Sequence, residues 1–234
     1  MSTFKNIQFE KSINLKNLVP YTNNTINSIM LALTKDLNIH LIADEIAMGF
    51  GRTGKMFAIE HAGVSPDILC VGKGLTAGYF PMSIVLITDE LYNNFYDDYS
   101  AGKSFLHSHS YSGNPIGCRI AVETLKIFED ENILEMIEEK GKFLRTLAKE
   151  KLKETPYWGE YRQIGLIGAI ELVGLPGERA GYEIYKIALK KGAILRPLGN
   201  IVYFMPPYII KEEEMEKMLD IFNESLKEYL ERFQ

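Results

Sequence analysis

Residues 41–55 read LIADEIAMGFGRTGK and residues 66–74 read PDILCVGKG, and these two stretches decide the fold. Each stretch contains a short apolar run, Leu41–Ala43 in the first and Ile68–Val71 in the second, and then reaches a charged residue, Asp44 or Lys73. Short apolar runs of this kind are typical of buried parallel strands. Because an open α/β sheet carries its functional side chains at the carboxyl ends of its strands, we expect Asp44 and Lys73 to face one pocket.

A lysine that shares a pocket with a carboxylate suits pyridoxal 5′-phosphate chemistry. The amine forms a Schiff base with the cofactor aldehyde, and the carboxylate keeps the pyridine nitrogen protonated so that the ring withdraws electrons. The separation of the two residues, 73 − 44 = 29 positions, is not specific by itself. A strand-end charge and an ordinary surface lysine would produce the same pattern.

Several segments, in order along the chain, resemble class III, fold-type I aminotransferases. These segments are Asp44–Ile46, Gly49–Gly54, Pro66–Ile68, Gly72–Gly74, Phe95–Tyr99, His107–Pro115, Leu195–Gly199 and Met205–Ile210. The resemblance runs from about Ile29 to the C-terminus, and residues 1–28 show no match. Within the class, the segments from His107 and from Arg196 are most similar to the branch that aminates 8-amino-7-oxononanoate in biotin synthesis.

The resemblance implies an α/β fold, that of the fold-type I pyridoxal phosphate-dependent transferases. We expect an incomplete α/β/α large domain over residues 29–130 and an α+β small domain over residues 131–234, after the unmatched segment 1–28. Family members are much longer, and their additional N-terminal part holds a Gly-Ser phosphate loop, a ring that stacks on the cofactor and about half of the large-domain sheet. We therefore expect an uncovered apolar face that a homodimer partner or a complementing N-terminal chain would cover.

The resemblance also implies a reaction and the roles of three residues. Lys73 carries the cofactor and shuttles the substrate proton, while Asp44 pairs with the pyridine nitrogen. Arg196 resembles the arginine that holds the carboxylate of the amino acceptor through a bidentate pair. An amino donor, S-adenosylmethionine in most of the branch, aminates the cofactor, which then aminates 8-amino-7-oxononanoate. Two alternatives stay open: another class III transaminase acting on an ω-amino acid such as ornithine or 4-aminobutyrate, and a non-catalytic fragment.

Residues 107–110 read HSHS and lie in one of the matching segments. Ser110 aligns with the hydroxyl residue that binds the cofactor phosphate across the dimer interface, and Ser108 and His109 are expected to add backbone contacts. The alternation of His107 and His109 would also suit a metal ion, because alternate strand residues face the same way. Two histidines without a third ligand are weak evidence for a metal, and we expect none.

The glycines of the first stretch imitate two nucleotide-binding motifs. Gly49, Gly51 and Gly54 have the spacing of a dinucleotide fingerprint, but Glu45–Met48 separate them from the strand. The same stretch nearly fits a phosphate-binding P-loop, except that Met56 stands where a Ser or Thr is needed to bind magnesium. We interpret these glycines as shaping a tight loop beside the cofactor.

Composition excludes several other classes of function. The 31 acidic and 26 basic residues leave a net charge of −5, which gives no reason to expect a nucleic-acid partner. No apolar run approaches the roughly 20 residues of a membrane span, and we expect a cytoplasmic enzyme with small-molecule substrates. Cys70 and Cys118 are far apart and fit reduced, buried thiols.

Apolar periodicity predicts the remaining elements. We expect helices over residues 29–38, 89–98, 115–130, 133–152, 182–190 and 211–233, and strands over residues 83–88, 165–173, 193–196 and 201–205.

Overall fold

The computed structural model describes Thr34 and residues 37–233. The helix predicted over 29–38 and the unmatched segment 1–28 lie outside the described residues, apart from Thr34 and the end of that helix. Residues 37–233 form seven strands, arranged in two sheets, and five α-helices. The chain is therefore a mixture of helix and sheet, as an α/β fold requires.

The first sheet has three strands: β1 (Ile42–Asp44), β2 (Ile68–Val71) and β3 (Ile84–Ile87). Strands β1 and β2 are parallel, with Asp44 opposite Cys70, whereas β3 is antiparallel to β2 and forms the other edge. All three strands were predicted, and β2 has the predicted bounds. Because β1 and β2 are parallel, their carboxyl ends, with Asp44 and Lys73, lie on the same side of the sheet.

Two helices follow this sheet in the chain. Helix α1 (Asp89–Asn93) begins after Thr88, whose side chain accepts a hydrogen bond from the Leu91 N–H, and it ends five residues before the predicted end at 98. Helix α2 (Pro115–Asp130) has the predicted bounds. Its first turn is capped by the Asn114 side chain, and proline suits the first helical position because no intrahelical partner exists there for an N–H.

The second sheet contains four strands: β4 (Trp158–Ile164), β5 (Ile167–Leu172), β6 (Arg196–Leu198) and β7 (Ile201–Phe204). Neighbouring strands are antiparallel, and the order across the sheet is β4-β5-β7-β6. Strand β4 was not predicted, and the strand predicted over 193–196 is wrong because β6 only begins at Arg196. The burial of β4 explains the miss, since its residues do not alternate cleanly between buried and exposed.

Three helices pack with the second sheet to form the main core. They are α3 (Ile133–Leu152), α4 (Ala180–Lys190) and α5 (Glu212–Leu230). The core side chains are large, apolar and almost fully inaccessible, and they include Ile137, Leu144, Leu152, Leu166, Ile170, Ile184, Val202, Phe204, Met215 and Phe222. Burial on this scale contributes roughly 1.5–3 kcal/mol for each large side chain, so this half of the chain has its own stabilising core.

The three-stranded sheet is much less covered than the four-stranded sheet. Its small core consists of Phe50, Val71, Leu75 and Ala121. By contrast, Val85 on β3 is 60% exposed, as is Ile42 on β1. The apolar face expected from the resemblance is therefore exposed in this chain.

The N-terminal half of the described chain, residues 37–130, meets the C-terminal half, residues 131–233, where residues 49–54 lie against the turn between β4 and β5. The Leu166 N–H donates to the Arg52 carbonyl oxygen at 3.3 Å. Gly165, at φ +50°, comes so close that an added Cβ would lie 2.6 Å from the Arg52 oxygen and from the Gly54 nitrogen. A side chain at position 165 would therefore force the two halves apart.

Three further findings concern the sequence analysis. Cys70 and Cys118 are both free thiols, but Cys70 is only partly buried and Cys118 is exposed, so the expectation of buried thiols is wrong at Cys118 and is met only in part at Cys70. Within the part of the chain that the structure describes, no helix has the length and apolar character to cross a bilayer. In the same part, no three His, Cys, Asp or Glu side chains are grouped so that they could hold a metal ion.

Gly165→Ala is expected to lower the free energy of unfolding by about 3 kcal/mol, because strain at positive φ adds to a backbone clash with residues 52–54. Gly192→Ala is the control, because Gly192 has φ +96° but no atom within 4 Å of the added Cβ. The control should lose only about 1 kcal/mol. Urea unfolding measures both values, and equal losses would contradict the close contact at Gly165.

Candidate active site

Asp44 and Lys73 lie at the carboxyl ends of two neighbouring parallel strands. Asp44 is the last residue of β1, and Lys73 comes two residues after the end of β2. The pairing continues beyond Asp44, because the Glu45 N–H donates to the Cys70 carbonyl oxygen at 2.9 Å. One Asp44 oxygen accepts from the Ile46 N–H at 3.1 Å, and the carboxylate is exposed. The predicted strand-end placement of both side chains is present.

Lys73 occupies an uncommon backbone conformation. Its φ is +41°, and it is flanked by Gly72 and Gly74. Lys73 is the first residue of a 3₁₀ turn, Lys73–Thr76. Left-handed φ at a residue with a long side chain is uncommon, and such strain is concentrated at functional sites. Two backbone hydrogen bonds hold the turn, from the Leu75 N–H to the Gly72 oxygen at 3.0 Å and from the Ala77 N–H to the Gly74 oxygen at 3.1 Å.

Lys73 lies in a cleft of about 980 Å³. Lys73 and His109 supply its basic side chains. The other lining residues come from four segments of the chain, and they are Ile46, Gly72, Phe80, Pro81, Met82, Ser83, Ile84, Tyr111, Ser112, Gly113 and Asn114. Asp44, Ser108 and Ser110 do not line this cleft, although each is close in sequence to a residue that does. The expectation that Asp44 and Lys73 face one pocket is therefore not met in this cleft. The cleft brings the lysine and the segment before α2 together.

Ser108 and His109 lie in an exposed loop, and Ser110 begins the turn 110–113 before α2. His109 is held by its own neighbourhood, because its Nδ1 accepts from the Tyr111 N–H at 3.1 Å and its backbone N–H donates to Ser112 Oγ at 3.2 Å. These bonds tighten the turn beside the cleft. The Ser108 and Ser110 side chains are exposed.

Arg196 lies apart from the Lys73 cleft. It is the first residue of β6, it is exposed, and its guanidinium is 5.9 Å from the centre of the Tyr203 ring. It lines a separate cleft of about 500 Å³ together with Pro206, Pro207 and neighbouring residues. The structure therefore does not bring Arg196 into the cleft of Lys73 and His109.

Glu45 is a buried carboxylate that the sequence analysis treated only as a spacer. Its side chain is 3% exposed, and its two oxygens accept from the Ala58 N–H at 3.0 Å and from the Ile59 N–H at 2.7 Å. Glu45 thereby ties the 3₁₀ turn Ala58–Ala62 to the end of the strand that finishes at Asp44. The sequence did contain a signal for this role, because Glu45 is an acidic residue directly after a short apolar strand.

The tight loop predicted at residues 49–54 is present, but none of its residues lines the Lys73 cleft. Phe50 packs within the N-terminal half, and Arg52 contacts the C-terminal half. Arg52 Nη1 donates to the Pro206 oxygen at 2.6 Å, and the guanidinium lies 4.4 Å from the centre of the Tyr208 ring. The Tyr208 hydroxyl donates to the Phe50 oxygen at 2.6 Å. Burial raises the pKa of Tyr208, against the opposing effect of Arg52, so the hydroxyl stays a donor.

The sequence model described as Aminotransferase class-III matches residues 19–226. The chain belongs to the class-III aminotransferase family. The match begins before Ile29, where the motif resemblance starts. Class-III aminotransferases depend on pyridoxal phosphate, and the α/β fold of this chain is that of the fold-type I transferases.

Curated class-III relatives are similar over most of this chain but extend well beyond it. Adenosylmethionine-8-amino-7-oxononanoate aminotransferase of Helicobacter pylori is 46% identical over 188 residues, which are 79% of this chain and 43% of the relative. The enzyme of that name from Methanocaldococcus jannaschii is 40% identical over 223 residues, 90% of this chain and 48% of the relative. The chain spans about half the length of the curated relatives it matches.

Solved class-III structures give the same picture. The structure of the M. jannaschii adenosylmethionine-8-amino-7-oxononanoate aminotransferase superposes with a TM-score of 0.80 at 39% identity, covering 89% of this chain and 50% of that one. A thermostable omega transaminase from Pseudomonas jessenii superposes with a TM-score of 0.83 at 31% identity, covering 89% of this chain and 48% of that one. The architecture described above is therefore that of one half of a transaminase.

Glu45→Gln is expected to lower the free energy of unfolding by about 1–3 kcal/mol, because an amide NH₂ would replace one of two buried acceptors. Glu60→Gln is the matched control: Glu60 also accepts from a backbone N–H, but it is exposed and glutamine retains one acceptor oxygen. Chemical denaturation compares the variants. A loss at Glu60 as large as that at Glu45 would contradict a special role for the buried carboxylate.

Proposed function

We propose that this chain takes part in pyridoxal phosphate-dependent transfer of an amino group to the ketone of 8-amino-7-oxononanoate, in biotin synthesis in the cytoplasm. The identity of 46% to the H. pylori enzyme of that name carries the proposal. S-adenosylmethionine is the proposed amino donor, because the names of the similar enzymes include it. The donor gains a carbonyl group as it loses its amino group, and the acceptor exchanges its carbonyl oxygen for that amino group.

The residues at the sheet edge fit part of a pyridoxal phosphate site. An exposed amine at Lys73 is available for an aldehyde, and the strand-end carboxylate of Asp44 is available for a protonated ring nitrogen. A phosphate group needs further donors, and Lys73 and His109 supply the only basic side chains of the described cleft. The chain thus has the groups for the chemical step but few groups that enclose the cofactor.

The roles of Lys73 and Asp44 follow from their chemistry and position. When bound, pyridoxal phosphate supplies an aldehyde that exchanges amino groups and a ring that withdraws electrons. Lys73 Nζ would hold the cofactor through its aldehyde between turnovers, and the same amine would move the proton at the amine-bearing carbon of the substrate. The carboxylate of Asp44 pairs with the ring nitrogen and keeps its proton in place, which favours loss of the substrate proton.

The remaining site residues are proposed to act in binding. Ser110 donates its hydroxyl to the cofactor phosphate in the site of a partner protomer, with Ser108 and His109 adding backbone contacts from the same exposed segment. Arg196 holds a substrate carboxylate through two parallel N–H donors, in the manner typical of arginine. Since Arg196 lines a different cleft from Lys73, a long substrate with its carboxylate far from the reacting carbon fits this arrangement best.

A class III transaminase that acts on a different amine is the second candidate. It is favoured by the P. jessenii omega transaminase, whose TM-score of 0.83 slightly exceeds the 0.80 of the M. jannaschii structure. Sequence identity points the other way, at 31% against 39%. Because identity reflects the side chains that contact substrates more than backbone similarity does, we prefer the biotin-pathway substrate.

We propose that a second polypeptide completes the site, either a homodimer partner or a chain equivalent to the first half of the relatives. All six proposed site residues are exposed, namely Asp44, Lys73, Ser108, His109, Ser110 and Arg196. Catalytic electrostatics are weak in open water, so a working site must be enclosed. The exposed side chains of β3 provide an apolar surface for such a partner. From the family resemblance we also propose that residues 29–130 form part of the large domain and that residues 131–234 form the small domain.

Lys73→Ala is expected to abolish the covalent adduct that forms when the protein is treated with pyridoxal phosphate and then borohydride. The reason is that Lys73 is the proposed amine partner of the aldehyde. Peptide mass spectrometry locates the adduct, and Lys55→Ala is the control because Lys55 is exposed and absent from the cleft. Adduct at wild-type yield in Lys73→Ala would contradict the assignment.

Completion of the site is tested by mixing the chain with the separately purified first half of the M. jannaschii relative. We expect a one-to-one complex by light scattering and an absorbance band with pyridoxal phosphate that disappears when the amino donor is added. Val85→Glu should weaken the complex at least about tenfold, because it places a charge on the apolar surface. Leu189→Glu is the matched control on α4. A complex that both variants weaken equally would contradict docking at β3.

A further inference from the structure

Phe50 of the 49–54 loop packs directly against the turn that carries Lys73. An added Cβ on Gly74 would lie 2.7 Å from Phe50 Cβ and 3.0 Å from Phe50 Cδ2. Gly74 has no positive φ that demands glycine, so the close approach of Phe50 is the reason that a side chain is not tolerated there. Any shift of Phe50 is therefore transmitted to the residue that follows Lys73.

Phe50 itself has an unfavourable backbone conformation. Its φ is +58°, and bulky non-glycine residues rarely adopt the left-handed region. The residue is 3% exposed, and its ring makes edge contacts with Phe57 and Phe128. A strained, buried residue of this kind keeps its conformation only when its surroundings impose it.

Tyr208 is the residue from the C-terminal half that imposes it. Its hydroxyl donates to the Phe50 carbonyl oxygen at 2.6 Å, which fixes the peptide group that follows the strained φ. Tyr208 is itself held from two sides, since Arg52 stacks on its ring and Lys140 Nζ donates to its carbonyl oxygen at 2.6 Å. The contacts therefore run without a break from α3 to Tyr208, Phe50, Gly74 and the Lys73 turn.

We propose that Tyr208 is a positioning residue for Lys73, acting through the hydrogen bond to Phe50 and the contact of Phe50 with Gly74. Through this contact the C-terminal half sets the orientation of the lysine amine in the cleft. The chemical consequence rests on the proposed function, since it assumes that Lys73 reacts with pyridoxal phosphate. The mechanical consequence, a Lys73 turn braced by Tyr208, does not depend on any cofactor.

The mechanical consequence is tested by hydrogen exchange of the Leu75 and Ala77 amides, which close the Lys73 turn. Tyr208→Phe removes one hydrogen bond and should accelerate their exchange about five- to tenfold in the folded chain. The matched control is Tyr229→Phe, which also removes a hydroxyl bond to a backbone oxygen, that of Pro176, within the C-terminal half. Wild-type exchange at both amides in Tyr208→Phe would overturn the proposal.

The chemical consequence is tested by the labelling of Lys73 relative to Lys142, an exposed lysine on α3, with pyridoxal phosphate and borohydride. The ratio compares two lysines in the same folded molecules, so a general loss of stability does not move it. We expect Tyr208→Phe to lower the ratio about five- to tenfold and Tyr229→Phe to leave it unchanged. An unchanged ratio in Tyr208→Phe would overturn the positioning role.

The two measurements separate failure of this proposal from failure of the proposed function. If wild-type Lys73 is labelled no faster than Lys142, the proposed cofactor role of Lys73 fails, and hydrogen exchange still decides whether Tyr208 braces the turn. If Tyr208→Phe does not fold, Gly74→Ala tests the same contact from the other side. Its added Cβ should displace Phe50 and accelerate exchange at Leu75 and Ala77, and unaltered exchange in that variant would overturn the proposal.

Discussion

The parallel pairing of β1 with β2 is the constraint on which the site depends. Because neighbouring parallel strands end on the same side of a sheet, the pairing of Asp44 with Cys70 brings Asp44 and the turn that begins at Lys73 to the same end of the sheet. Parallel pairing needs a long connection, and here that connection contains the 49–54 loop and the turn fixed by Glu45. The loop that permits the pairing is also the loop that contacts the C-terminal half.

The two halves of the chain have different structural status. The four-stranded sheet and its three helices enclose a continuous core, whereas the three-stranded sheet exposes Ile42 and Val85. The proposed chemical groups lie on the less covered half, and the bracing contacts come from the better packed half through Arg52 and Tyr208. This division accounts for a chain that holds reactive groups in place while leaving them open to solvent.

Much of the fold was predictable because its signals are local. Helices α2 and α3 were predicted with their observed bounds, since apolar spacing, the Asn114 cap and a proline at the first position all act within a few residues. Strand β4 was missed because its residues do not alternate between buried and exposed, so its sequence lacks the pattern of a half-buried strand. It is defined instead by its pairing with β5. Of the proposed site residues, the strand-end placement of Asp44 and Lys73 followed from pattern, and their roles rested on family resemblance.

The sequence by itself determined the family, the cofactor chemistry and most of the helices and strands, because short motifs and periodicity are written in adjacent residues. Only the tertiary structure decided that Arg196 lines a different cleft from Lys73, and that Gly74 must be small because Phe50 packs on it. Only it joined Phe50 to Tyr208, which are 158 positions apart. Contacts between residues so distant in the chain depend on how packed elements meet, and no local pattern encodes that geometry.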